Sequence, residues 1–81
     1  MTRTYKLFKI GSKEKLVKEF DNMQEATLKV RNILGLREFQ KCQYIPLYDG
    51  NLQVGMEFIQ DGKKIFVIRK EVCWDGQQLG L

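Results

Sequence analysis

The side chains in this chain that could attack, titrate or ligate are few. They are Ser12, Cys42, Cys73 and the aspartates of three Asp-Gly dipeptides, Asp49-Gly50, Asp61-Gly62 and Asp75-Gly76. The 81 residues contain no histidine, so neither an imidazole base nor an imidazole metal ligand is on offer. Ser12 is the only serine, and the run Gly11-Ser12-Lys13-Glu14-Lys15 surrounds it with solvated charge rather than with a base. Neither cysteine has a histidine with which to form a thiolate pair, and each reads as a small apolar residue. Two cysteines cannot build a Cys₄ or Cys₂His₂ zinc site within one chain, and without a secretory signal they are expected to be free thiols. Turn geometry accounts for the three aspartates. No EF-hand spacing occurs, and Gly62-Lys63-Lys64 lacks both the upstream glycine and the hydroxyl of a phosphate-binding loop. The expectation is no catalytic, cofactor-binding or metal-ligating residue, and no enzyme.

What remains is surface chemistry. Lys and Arg number 14 against 10 Asp and Glu, a net charge of +4, and the excess is confined to the first half. Residues 1–41 hold ten basic and five acidic residues; residues 42–81 hold four and five. Lys6, Lys9, Lys13, Lys15 and Lys18 interleave with Tyr5 and Phe8, making a candidate contact for nucleic acid or for an acidic partner. A basic two-stranded ribbon can enter a major groove, and aromatics on a sheet can stack on bases. The plainer reading is lysine spread for solubility and edge protection. Tyr5 and Phe8 have opposite parity, so at least one of them points inward.

The elements that must position these residues follow from pattern. Thr2 to Ile10 reads as a strand, Gly11 to Glu14 as a turn, and Lys15 to Phe20 as a second strand with Leu16, Lys18 and Phe20 on one face. Asp21 followed three residues later by Gln24 predicts a helix start; Met23, Ala26, Val30, Ile33 and Leu34 form its apolar stripe, and Gly35 its end. Leu28 falls opposite the stripe as a lone exposed apolar residue. The segment from Leu36 to Lys41 fits either an extended helix region or a lead into the third strand. The Asp-Gly turns at 49–50 and 61–62 then predict a β-meander, with Pro46 on an edge and Gly55 at a bulge. A third turn at Asp75-Gly76 would fold Leu79 toward Val72, or residues 74–81 would fray. The sum is a single α+β domain, ββαβββ, with one helix on a mainly antiparallel sheet.

The turn at Asp61-Gly62 pairs Phe58 with Ile65 and Met56 with Val67. Ile59, Phe66 and Ile68 then point the other way, beside Glu57, Lys64 and Lys70. One helix has difficulty covering both faces, so this side is expected to meet a protein partner or a second copy of the chain, with Trp74 as a rim anchor. The competing reading is a central strand buried on both faces. No apolar run approaches the roughly 18 residues that cross a bilayer, and no signal peptide opens the chain. The expectation is therefore a cytoplasmic, non-enzymatic binding module that takes no cofactor and meets no membrane. It would act on a protein partner as an inhibitor or adaptor, of the size that phages and mobile elements encode. Direct nucleic-acid binding through the basic N-terminal hairpin is the alternative.

Overall fold

Local backbone chemistry sets the joints of the chain, which the computed structural model describes over residues 2–73. Strands β1 (Thr2–Ile10) and β2 (Glu14–Phe20) form the first hairpin. Helix α1 (Met23–Leu34) and a short α2 (Leu36–Lys41) follow, then β3 (Gln43–Asp49), β4 (Leu52–Gln60) and β5 (Lys63–Cys73). Between β4 and β5, Asp61 (φ 53°) and Gly62 (φ 76°) are both left-handed, as a type I′ turn requires. Between β3 and β4, positive φ occurs at Gly50 alone (67°), and Asp49 pairs with Leu52. The turn residues are thus Gly50-Asn51, one position later than the Asp-Gly reading, because glycine takes the first central position.

The start of α1 is displaced in the same way. Asn22, not Asp21, is the N-cap; its side chain accepts from the Glu25 backbone N–H at 2.8 Å and donates to the Glu25 carboxylate at 3.3 Å. Gly35 (φ 85°) ends the helix and donates its N–H to the Arg31 carbonyl at 2.8 Å. Leu36 to Lys41 resolves as a second helix, so the order is ββααβββ.

All five strands form one antiparallel sheet in the order β2-β1-β5-β4-β3. The meander is present, and Pro46 lies on an edge strand, where a missing donor is tolerated. Three register shifts interrupt the ladders, at Leu7/Phe8 against β2, at Leu47/Tyr48 against β4 and at Phe58/Ile59 against β5. The last one overturns the expected pairing. Beyond Ile59–Lys64 the register moves by one, so Phe58 faces Phe66 and Met56 faces Ile68. A one-residue slip exchanges the two faces of a strand.

Both helices lie on one face. Helix α1 packs over β1, β2 and β5, while α2 sets Phe39 against Tyr44 and Phe58, with ring centroids 5.4 and 6.3 Å apart. Beneath them Leu7, Ala26, Val30, Phe58, Phe66 and Ile68 form the core, flanked by Tyr5, Phe20, Met23, Leu34, Phe39, Met56 and Ile65. Each fully buried Leu, Ile, Val or Phe contributes about 1.5–3 kcal/mol. Ile33 of the expected helix stripe is exposed instead, as is Leu28. No helix among the described residues is long and apolar enough to cross a membrane.

Candidate functional site

The displaced register decides where the expected apolar patch goes. Phe66 (2 % exposed) and Ile68 (0 %) point into the helix-covered core and cannot meet a partner. Ile59 is half-buried between Gln43 and Lys64. Trp74 and the turn at Asp75-Gly76 lie outside the described residues. The expected patch is therefore not assembled.

The face opposite the helices carries paired charges. Val67 sits there between Phe8 and Glu57 of the neighbouring strands and is almost fully buried. Arg69 reaches from β5 across β1 to Glu14 of β2, donating to the carboxylate with one contact at 3.0 Å and a second, shorter one. On the way its guanidinium lies 5.0 Å from the Phe8 ring centroid. Lys6 pairs with Glu71 at 2.9 Å, and Lys64 with Glu57 at 2.9 Å. The Arg69 hydrogen bond holds the Glu14 carboxyl below its ordinary pKa, and the same bond raises that of Arg69. Arg69 lies over Phe8 beside the buried Val67, while Leu16, Ile45 and Leu52 on the same face stay exposed.

The five lysines of the N-terminal hairpin do not share a face. By strict alternation Leu16 and Phe20 would lie together, but Lys18 pairs with Leu7 and Leu16 with Phe8, so Val17 stands unpaired as a bulge. Leu16 and Glu14 therefore fall with Phe8 and Ile10 on the charge-paired face, as does Glu19 opposite Lys6. Lys18 falls with Leu7 and Phe20 on the helix side, its Nζ 5.6 Å from the Phe20 ring centroid. Lys9 and Lys15 are directly opposite each other on that same side. Lys13 is in the turn. Among the described residues no carboxylate lies within salt-bridge distance of Lys9, Lys13, Lys15 or Lys18.

The edge strand β3 is the opposite in character. Its residues Gln43–Asp49 carry no cation, and Tyr44, Ile45 and Tyr48 are all exposed. Tyr48 (61 %) and Leu52 (56 %), at the tip of the β3–β4 hairpin, are the most exposed large apolar side chains among the described residues. Tyr44 is fixed at the base of this edge: its hydroxyl donates to the Phe39 carbonyl at 2.8 Å, and its ring meets Phe58 edge-on at 5.4 Å. Burial against these rings pushes its pKa up. Register puts Ile45 and Leu52 on one side of the hairpin and Tyr48 on the other. Sequence reasoning passed over these residues, although the run Tyr44-Ile45-Pro46-Leu47-Tyr48 carries the signal: an edge-marking proline inside an uncharged, aromatic run.

The remaining chemistry is sparse. Cys42 is buried, its thiol pushed up chiefly by burial and secondarily by Glu38, and it donates to the Glu38 carbonyl at 3.5 Å. Among the described residues there is no group of three or more His, Cys, Asp or Glu placed to hold a metal ion. The geometry offers two unlike edges of the sheet, basic at β2 and apolar at β3. Compared with protein-family models, curated proteins and solved structures, the chain matches none.

Proposed function

We propose that this chain is a non-enzymatic module that works inside the cell by docking on another protein, as an inhibitor or adaptor. The contact is made through the β3–β4 hairpin. The observation that carries this reading is the exposure of Tyr44, Ile45 and Tyr48 on an edge strand that carries no cation, with Leu52 beside them at the start of β4. Aromatic and aliphatic side chains held out on a rigid hairpin are the usual anchors of a protein interface. Natural edge strands are more often blunted with lysine, as β2 is, and an edge left apolar needs a partner to cover it. The shortage of nucleophiles and bases in the sequence supports the non-enzymatic part of the reading.

The test is capture by the hairpin itself. A photo-crosslinking side chain introduced at Tyr48 is irradiated in cells, and crosslinked products are compared with those of the same chain carrying Leu52→Ser and Ile45→Ser. A defined heterologous product that disappears with the two serines supports the reading. An unchanged product, or none above background, sinks it. A product of twice the chain's mass identifies a second copy of the chain as the occupant and removes the inhibitor or adaptor assignment.

A further inference from the structure

The β2 edge carries an independent inference. We propose that Lys9, Lys15 and Lys18, with Lys13 at the turn, form a strip that binds the phosphodiester backbone of nucleic acid.

Charge sorting is the first ground. The two carboxylates of β2 both lie on the far side of the sheet from the strip, Glu14 held by Arg69 and Glu19 opposite Lys6. The unpaired Val17 produces this arrangement, because it lets Lys15 and Lys18 share a face although they are three residues apart. On the charge-paired face Lys6, Lys64 and Arg69 each have a carboxylate. On this side the lysines have none among the described residues.

The second ground is that Lys9 and Lys15 are directly opposed across the ladder. Like charges at that position repel at the cost of stability, and an external anion between them removes the cost. The chain has acidic residues to spare at neighbouring positions and uses them elsewhere.

The third ground distinguishes the anion. A protein interface needs a broad apolar centre, and the strip offers a single exposed aliphatic, the bulged Val17: Phe20 lies under Lys18 and Tyr5 is half-buried in the core margin. Without an exposed aromatic there is no platform for base stacking either. Flexible point charges gathered on one edge suit a backbone of closely spaced phosphates and read no sequence.

Fluorescence anisotropy of the full chain with a labelled 20-base-pair DNA duplex, and with one of its strands, tests this. Three phosphate contacts, by Lys9, Lys15 and Lys18, predict a log–log salt slope of about −2.7 on the duplex, hence about a 40-fold loss of affinity between 50 and 200 mM salt. Replacing Lys9, Lys15 and Lys18 together by Gln should flatten the slope to no steeper than the about −0.9 of a single contact by Lys13. Replacing Arg37, Lys41 and Lys63 by Gln gives the same net charge and should leave the slope near that of the parent. Lys15→Glu guards against misfolding, since it relieves the opposed pair: it should bind at least 10-fold more weakly while melting no lower than the parent. Equal losses in the two triple variants would reduce the effect to net charge and overturn the proposal, as would no binding at 50 mM salt. Displacement by polyglutamate as effective, per charge, as by unlabelled duplex would assign the strip to an acidic protein surface instead. Retention of the salt-dependent binding when Leu52 and Ile45 are serine keeps this result separate from the reading of the β3–β4 edge.

Discussion

At the scale of single residues, two positions carry consequences out of proportion to their size. Gly55 leaves no room for a side chain: a Cβ there would collide with the Ile68 carbonyl and come within 3.2 Å of Leu47 Cδ1. Backbone cannot yield as a side-chain tip can, so Gly55→Ala is expected to cost about 1–3 kcal/mol. For a domain of this size that lowers the melting temperature by roughly 4–8 °C for each kcal/mol, and a melting curve matching the parent's would refute the close approach. The other position is Glu14, whose carboxyl the Arg69 hydrogen bond holds below its ordinary value of 4.5. A depressed folded-state pKa means that the unfolded chain binds the proton more readily. The contribution of Glu14 is therefore fully present above about that ordinary value and is lost as the pH falls through the lower folded one. Urea unfolding at pH 7 and at pH 3 should show a smaller acid loss for Glu14→Gln than for the parent. Equal losses would mean that the pair across β1 does not persist in solution.

At the scale of elements, what the sequence made legible separates cleanly from what it did not. The turn at Asp61-Gly62, the end of α1 at Gly35 and the edge position of Pro46 each follow from the backbone needs of one or two residues, and each was readable. Of the three register shifts, the one at Leu47/Tyr48 falls beside Gly55, where the sequence marks a bulge; the other two were not readable, because a bulge reflects what the neighbouring layers require. Phe58 is drawn between Phe39 and Tyr44, and the ladder beside it moves by one residue to keep Phe66 and Ile68 in the same layer. That shift is why Phe66 and Ile68 read as surface and are core. The lysines of the first hairpin were visible as a group, yet which of them share a face depended on Val17. This hairpin permits a direct check. Removing Val17 leaves every observed β1–β2 pair intact, from Tyr5–Phe20 to Ile10–Glu14, in one unbroken ladder. The deletion variant is therefore expected to fold, with a stability within about 1.5 kcal/mol of the parent, in the range of a tolerated core change. Backbone NOEs between β1 and β2 would report the pairs; a ladder with Leu16 back on the Phe20 face would show that the bulge had been assigned wrongly.

At the scale of the whole molecule, the sheet is assembled from its middle outward in space but from its ends in sequence. The central strand, β5, pairs with β1, so the two ends of the described chain must meet before the sheet is complete. Such long-range pairing puts folding in the slower range for small domains, about milliseconds to seconds. The same topology pushes the two distinctive edges apart. Between β2 and β3 lie four inter-strand steps, roughly 19 Å at about 4.8 Å each. Energetic effects of substitutions more than about 7–10 Å apart add when they share no partners. Serine at Ile45 and Leu52 should therefore leave duplex affinity and its salt slope unchanged, and glutamine at Lys9, Lys15 and Lys18 should leave the Tyr48 crosslink unchanged. The combined variant should lose both, each by the amount seen alone, to within about 0.5 kcal/mol. Additivity would support two separate edges, the one proposed for a protein and the one proposed for a phosphate backbone. A coupling larger than that limit would mean that both edges meet one continuous partner wrapping around the sheet, and the two surfaces would then have to be read as one site.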